Sequence, residues 1–138
     1  MQIDIIRLLL DFGLVVLIWI IQRIVYPSFL HYTAGNLVTW HRIYTSRFSA
    51  IVIPLMFGQL GVSIYQVFTN TSFYTVSSLV VIILIWISTF AIFVPIHAII
   101  SNENSTKSDL VSLVNKNWMR TILWTLLFIY SFFEVMDF

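Results

Sequence analysis

Cysteine is absent from this chain of 138 residues, so no disulfide, thiolate metal site or thiol nucleophile can be built from it. Charge is scarce as well. Asp, Glu, Lys and Arg together make up 9% of the residues, against roughly 25% in a soluble domain, and a water-facing surface cannot be assembled from that pool. The net charge of +1, with no basic stripe, gives no sign of a nucleic-acid surface, and no nucleic-acid partner is expected. The only glycines are Gly13, Gly35, Gly58 and Gly61, which rules out a Gly-rich phosphate loop, and there is no H-E-x-x-H helix and no Ser-His-Asp order of note. What the chain has in abundance is apolar: 59% hydrophobic residues and a mean hydropathy of +0.95. The class is an integral membrane protein, all-α, in one domain over residues 1–138.

Four helices are expected, near residues 5–26, 37–68, 74–100 and 108–136. The first reads as a retained helix rather than a leader, because no basic region precedes it and Gln22-Arg23 and Tyr26-Pro27 stand where a small-residue cleavage site would lie. Asp4, Arg7, Asp11 and Gln22 fall near one stripe of it. Arg7 and Asp11, an i,i+4 pair, read as a self-neutralising pair near the membrane surface, the alternative being a buried functional charge. Pro27 is expected to end this helix, and residues 30–36 to form a loop with Asn36 as N-cap. The second helix runs about 48 Å, longer than a bilayer core, so His41, Arg42 and Arg47 belong at or below the headgroups, and Pro54 is expected to kink it. A polar turn at 69–72 makes the second and third helices an antiparallel hairpin. The hydrophilic stretch 101–117 ends in an interfacial helix that leads into the last span. Ala50, Pro54, Gly58 and Gly61 share one face of the second helix, where another helix can approach closely.

Arg23, Arg42, Arg47, Lys107, Lys116 and Arg120 flank the connections between helices one and two and between three and four, while only Arg7 lies at the other end. By the positive-inside rule both termini are non-cytoplasmic, and a bacterial inner membrane is the expected location.

In that topology Tyr26, His41, Tyr44, His97, Asn117, Trp118 and Arg120 converge at the cytoplasmic ends. The turn at 70–72 begins 29 residues after His41 and ends 25 residues before His97. Those are rises of roughly 44 and 38 Å, which bring the two imidazoles to one depth and one expected pocket. They are the candidate catalytic pair, as bases near neutral pH or as ligands. Tyr26, Tyr44, Asn117, Trp118 and Arg120 are candidate substrate-binding residues. The alternative is that each histidine bonds a backbone carbonyl or a headgroup within an ordinary aromatic belt. No metal set is completed, since no third His or carboxylate stands at ligand spacing. His31 reads as solvated, and Trp86, Phe90, Phe93 and His97 form one face of the third helix.

Tyr26-Pro27-x-Phe29, the His41/Tyr44 helix entry, Pro54 and Asn117-Trp118-x-Arg120-Thr121 together resemble the small four-helix membrane proteins related to anthrone oxygenases. In that family an Asn and an Arg recur before the last helix, which the resemblance carries to Asn117 and Arg120. The portion Tyr26-Pro27-x-Phe29, Tyr44 and Pro54 is also similar to the membrane protoporphyrinogen oxidase family. That similarity implies haem as a cofactor, although the first helix here carries no histidine.

Two functional classes follow. One is a pocket at the cytoplasmic leaflet that binds or oxidises an apolar small molecule, quinone-like or polycyclic, with His41 or His97 as base and Arg120 and Asn117 holding an oxyanion or carbonyl. The other is a non-catalytic accessory or scaffold subunit of a larger membrane complex, to which the 17% aromatic content and few polar handles are equally suited.

Overall fold

A computed structural model describes residues 1–137, which are helical almost throughout and contain no strand. The chain makes four antiparallel rods. The first is α1 (Gln2–Ile20), a π-helical turn (Ile21–Val25), the short α2 (Tyr26–Ser28) and a 3-10 turn (Phe29–His31). The second is α3 (Ala34–Thr69), unbroken over 36 residues. The third is α4 (Phe73–Ser88), a π-helical turn (Thr89–Phe93) and α5 (Val94–Ser101). The fourth is α6 (Lys107–Met136). The last three rods, Ala34–Thr69, Phe73–Ser101 and Lys107–Met136, are long and apolar enough to cross a membrane. The first packs against α3 and α6 beside them.

Local sequence explains the starts. Ser72 and Thr75, and Thr106 and Asp109, form reciprocal capping boxes that open α4 and α6. The first connection is shorter than the loop expected over 30–36. Only Tyr32 and Thr33 leave helical geometry, and Thr33, not Asn36, is the N-cap of α3. Lys107–Met136 is one continuous helix, so the expected interfacial segment is simply its first turns.

Pro27 does not end the first rod. It follows a π-helical turn in which the Tyr26 N–H bonds the Ile21 carbonyl, five residues back. Proline clashes with the carbonyl four residues before it, and the wider π turn moves that carbonyl out of line. Pro95 is handled the same way, with the Val94 N–H bonding the Thr89 carbonyl. Both π turns thus sit just before a proline, and each is followed within a turn by a site residue, Tyr26 or His97.

Apolarity alone does not distinguish the inside of this bundle from its outside. Leu14, Ile18, Phe29, Ile82, Ile85 and Leu113 are buried, while Leu9, Ile24, Ile87 and Leu126 are just as apolar and exposed. In hydrocarbon, packing and interhelical hydrogen bonds decide which faces meet. Many polar residues lie inside. Arg7 and Asp11 are enclosed by the bundle: both are 0% exposed, and the Arg7 Nε is 2.9 Å from Asp11 Oδ1. Gln59 donates to Asp11 at 2.6 Å, Ser131 donates to its other oxygen, and Arg7 donates to Gln66 at 3.2 Å. Tyr74 donates to Ser131 at 3.0 Å, so all four rods enter this one network. The pair neutralises itself as expected, but it is enclosed rather than snorkelling, because further hydrogen-bond partners reach it from other helices. The small-residue face of α3 is also mostly outward. Ala50, Pro54 and Gly61 are exposed, and only Gly58 lies under a neighbour, Leu10 of α1.

Candidate functional site

A cavity of about 290 Å³ opens between the rods at the level of the two π turns. Most of its wall is apolar, from Ile18, Ile21, Val52, Met56, Phe93 and Trp124. Its polar wall is Tyr26, Tyr44, His97 and Arg120, with Thr45, Ser49 and Thr89 beside them. Ile53, Phe57, Phe90 and Val94 also line it and are exposed on the outer surface, so the mouth faces the lipid side. The stripe Trp86, Phe90, Phe93 and His97 lies wholly in this wall.

Behind the wall runs a row of hydrogen bonds. Arg120 Nη2 donates to the Tyr26 hydroxyl at 3.3 Å. That hydroxyl lies 3.0 Å from His97 Nε2, His97 Nδ1 lies 2.7 Å from His41 Nε2, and His41 Nδ1 lies 3.1 Å from Ser101 Oγ. Donor count gives the row a direction. Arg120 can only donate, so the Tyr26 proton has one acceptor among the described residues, His97 Nε2. His97 then carries its proton on Nδ1 and gives it to His41 Nε2, and His41 carries its own on Nδ1 towards Ser101. The opposite order would leave the Tyr26 proton without an acceptor. Ser101 is partly exposed at the end of α5, and Arg42 donates to its carbonyl at 3.0 Å. The row therefore joins the cavity to the connection between α5 and α6.

Asn117 sets Arg120. Its Oδ1 accepts from Nε at 3.0 Å and Nη2 at 2.7 Å, and its Nδ2 donates to Gln22 at 2.8 Å. Gln22 also accepts from Thr121 and donates to the Val114 carbonyl. The guanidinium lies over the Phe93 ring, 3.5 Å from its centroid. Tyr44 contributes ring contacts to Phe29, His41 and Phe48, and its hydroxyl makes no hydrogen bond among the described residues. Of the seven candidate residues, six come together here: Tyr26, Tyr44, His97 and Arg120 in the wall, His41 and Asn117 behind it. Trp118 stands apart, edge-on to Trp19 at 5.7 Å. It falls off the inner stripe of α6 formed by Leu113, Asn117, Arg120, Trp124, Leu127 and Ser131. Exposed His31 is outside the site.

Ser101, Gln22, Thr89 and Trp124 were not anticipated. Trp124 lines the cavity and donates to Gln59 at 3.2 Å, which links the cavity wall to the Arg7–Asp11 network. The visible signal for that network was Gln59, Ser63 and Gln66, polar residues at i, i+4 and i+7 in an apolar helix, all buried.

The two histidines do not fit haem ligation. Their facing nitrogens bond each other at 2.7 Å, with no room for an iron between them, and both outer nitrogens are engaged by Tyr26 and Ser101. Among the described residues no group of three His, Asp or Glu side chains is placed to hold a metal ion. What the arrangement can do is accept an oxygen group against Arg120, Tyr44 and Tyr26 and move a proton along Tyr26, His97 and His41. Comparison of the chain with protein-family models, curated proteins and solved structures finds no match.

Proposed function

We propose that this membrane protein holds an apolar small molecule, quinone-like or polycyclic, in the cavity and moves a proton to or from its oxygen. The observation that carries the reading is the directional row from the cavity wall to Ser101. Tyr26 is the proton-transfer group at the bound oxygen, His97 receives from Tyr26, and His41 passes the proton on. Arg120 holds the oxygen, and Asn117 positions Arg120. Membership of the anthrone oxygenase-like four-helix proteins is part of the proposal. The support for it is that Asn117 and Arg120, the pair the resemblance singles out, bond each other at the cavity.

The same reading orients the molecule in a bacterial inner membrane with both termini non-cytoplasmic. Arg7 and Arg120 are buried and drop out of the charge count. The remaining basic side chains, Arg23, Arg42, Arg47, Lys107 and Lys116, are exposed and gather at the end where Ser101 lies. The row therefore leads to the cytoplasmic face.

Binding is testable with the purified protein in detergent. Two of the tryptophans, Trp86 and Trp124, line the cavity, so 1,4-naphthoquinone should quench part of the tryptophan fluorescence saturably. Ser49→Phe fills the cavity without touching the row and should weaken binding by about tenfold or more. Unsaturable quenching, identical in the two proteins, would sink the proposal.

A further inference from the structure

We infer that the ligand is a lipophilic weak acid bound as its anion against Arg120, an inference that rests on the cavity being a ligand site. The first observation is an imbalance of charge. Of the two buried arginines, Arg7 is paired with Asp11, whereas Arg120, 6% exposed, has no carboxylate within ion-pair distance among the described residues. Its partners are neutral: Asn117 Oδ1, the Tyr26 hydroxyl, the Thr89 hydroxyl at 3.4 Å and the face of Phe93. A guanidinium withdrawn from water with no anion beside it is costly, and inside a membrane bundle such a charge marks a ligand or a transport path. Arg120 lines the cavity, so the missing anion has a place to go.

The second observation is spare donors in that wall. The Tyr44 hydroxyl makes no hydrogen bond among the described residues. Arg120 Nη1 has only the long contact to Thr89. A set of donors with a net positive charge suits an oxygen anion better than a neutral ether or ketone.

The third observation is the route in. The mouth is formed by exposed apolar residues, Ile53, Phe57, Phe90 and Val94, so the ligand arrives through hydrocarbon, where only its neutral form is stable. The acid therefore enters protonated and ionises inside. Its O–H bond breaks and the electron pair stays on the ligand oxygen beside Arg120. The proton goes to the Tyr26 oxygen as Tyr26 passes its own to His97 Nε2. His97 then gives its Nδ1 proton to His41, and His41 gives its own through Ser101 to water. One proton leaves for each anion bound, and no oxidant is needed.

The test uses 2-hydroxy-1,4-naphthoquinone, whose anion and neutral form differ in visible absorption, and its methyl ether, which cannot ionise. In a buffer where half of the free acid is ionised, the bound acid should show the anion spectrum alone. It should also bind about tenfold or more tightly than the ether. Arg120→Gln should abolish the preference, and Tyr44→Phe, which leaves every Arg120 bond in place, should reduce it. Should Arg120→Gln fail to fold, the comparison of the two compounds on the unmodified protein decides alone. Equal binding of acid and ether, with the acid bound in its neutral spectrum, overturns the anion inference and leaves the cavity reading standing. Binding of neither compound removes both.

Discussion

At the scale of single residues, the interior polar groups divide into a structural set and a chemical set. Asp11 accepts from Arg7, Gln59 and Ser131, and its carboxylate holds together side chains from three rods. Asp11→Asn leaves the Arg7 charge buried and uncompensated, and should destabilise the protein by about 3–5 kcal/mol. The joint replacement Arg7→Met with Asp11→Leu removes both charges and should recover much of that loss. Thermal unfolding in detergent reads both, and an Asp11→Asn protein as stable as the unmodified one would contradict this account. The i,i+4 spacing of the pair was legible in the sequence, but its burial was not. Burial depends on Gln59 and Gln66 meeting the pair from α3, and only their seven-residue spacing hinted at that. Trp118, by contrast, was separable in principle. The inner residues of α6 recur every three or four positions from Leu113 to Ser131, and Trp118 falls between Asn117 and Arg120 on the outward side.

At the scale of elements, the two π turns position the site. A π turn carries one extra residue, and each later side chain is rotated by about 100° relative to an uninterrupted α-helix. Deleting exposed Ala91 from Thr89–Phe93 should restore α-helical register and turn His97 away from Tyr26 and His41. Naphthoquinone quenching should then fall about tenfold or more even if the helix content by circular dichroism is unchanged. Unaltered binding would show that the π turn does not set the site. Pro27 reads from the sequence alone as a helix end, because the clash with the preceding carbonyl is counted without the wider turn that relieves it. The small face of α3 gives a second contrast. A Cβ at Gly58 would sit 3.2 Å from Leu10 Cδ2, whereas at Gly61 it would meet nothing within 4 Å. Gly58→Leu should cost about 1–3 kcal/mol by overpacking α1 against α3, and Gly61→Leu close to nothing. Equal unfolding temperatures for the two variants would remove that contact from the account.

At the scale of the whole molecule, the all-α class was legible from long apolar runs, because a lipid-facing backbone satisfies its hydrogen bonds only in helices or a closed barrel, and runs of about twenty apolar residues suit helices. A pocket near the two histidines was expected, but its walls were not legible, since they depend on how four rods rotate about their axes, and periodicity leaves that rotation open. The proposed orientation is checked by adding cysteines to this cysteine-free chain. A membrane-impermeant maleimide applied to intact cells should label Thr71→Cys and leave Asn104→Cys unlabelled. The reverse pattern would place Ser101 and the end of the hydrogen-bonded row outside.

The central claim, that a one-way row of hydrogen bonds leads from the cavity to Ser101, is tested most directly by the imidazole tautomers. In a His31→Gln protein labelled with ¹⁵N-histidine, only His41 and His97 remain to be observed. The account predicts that both rings carry their proton on Nδ1, and that Tyr26→Phe, which removes the only donor to His97 Nε2, frees His97 to change tautomer while the fold is kept. Protons on Nε2 of both rings in the unmodified protein would contradict it, because the row would then run the other way and deliver nothing from the cavity.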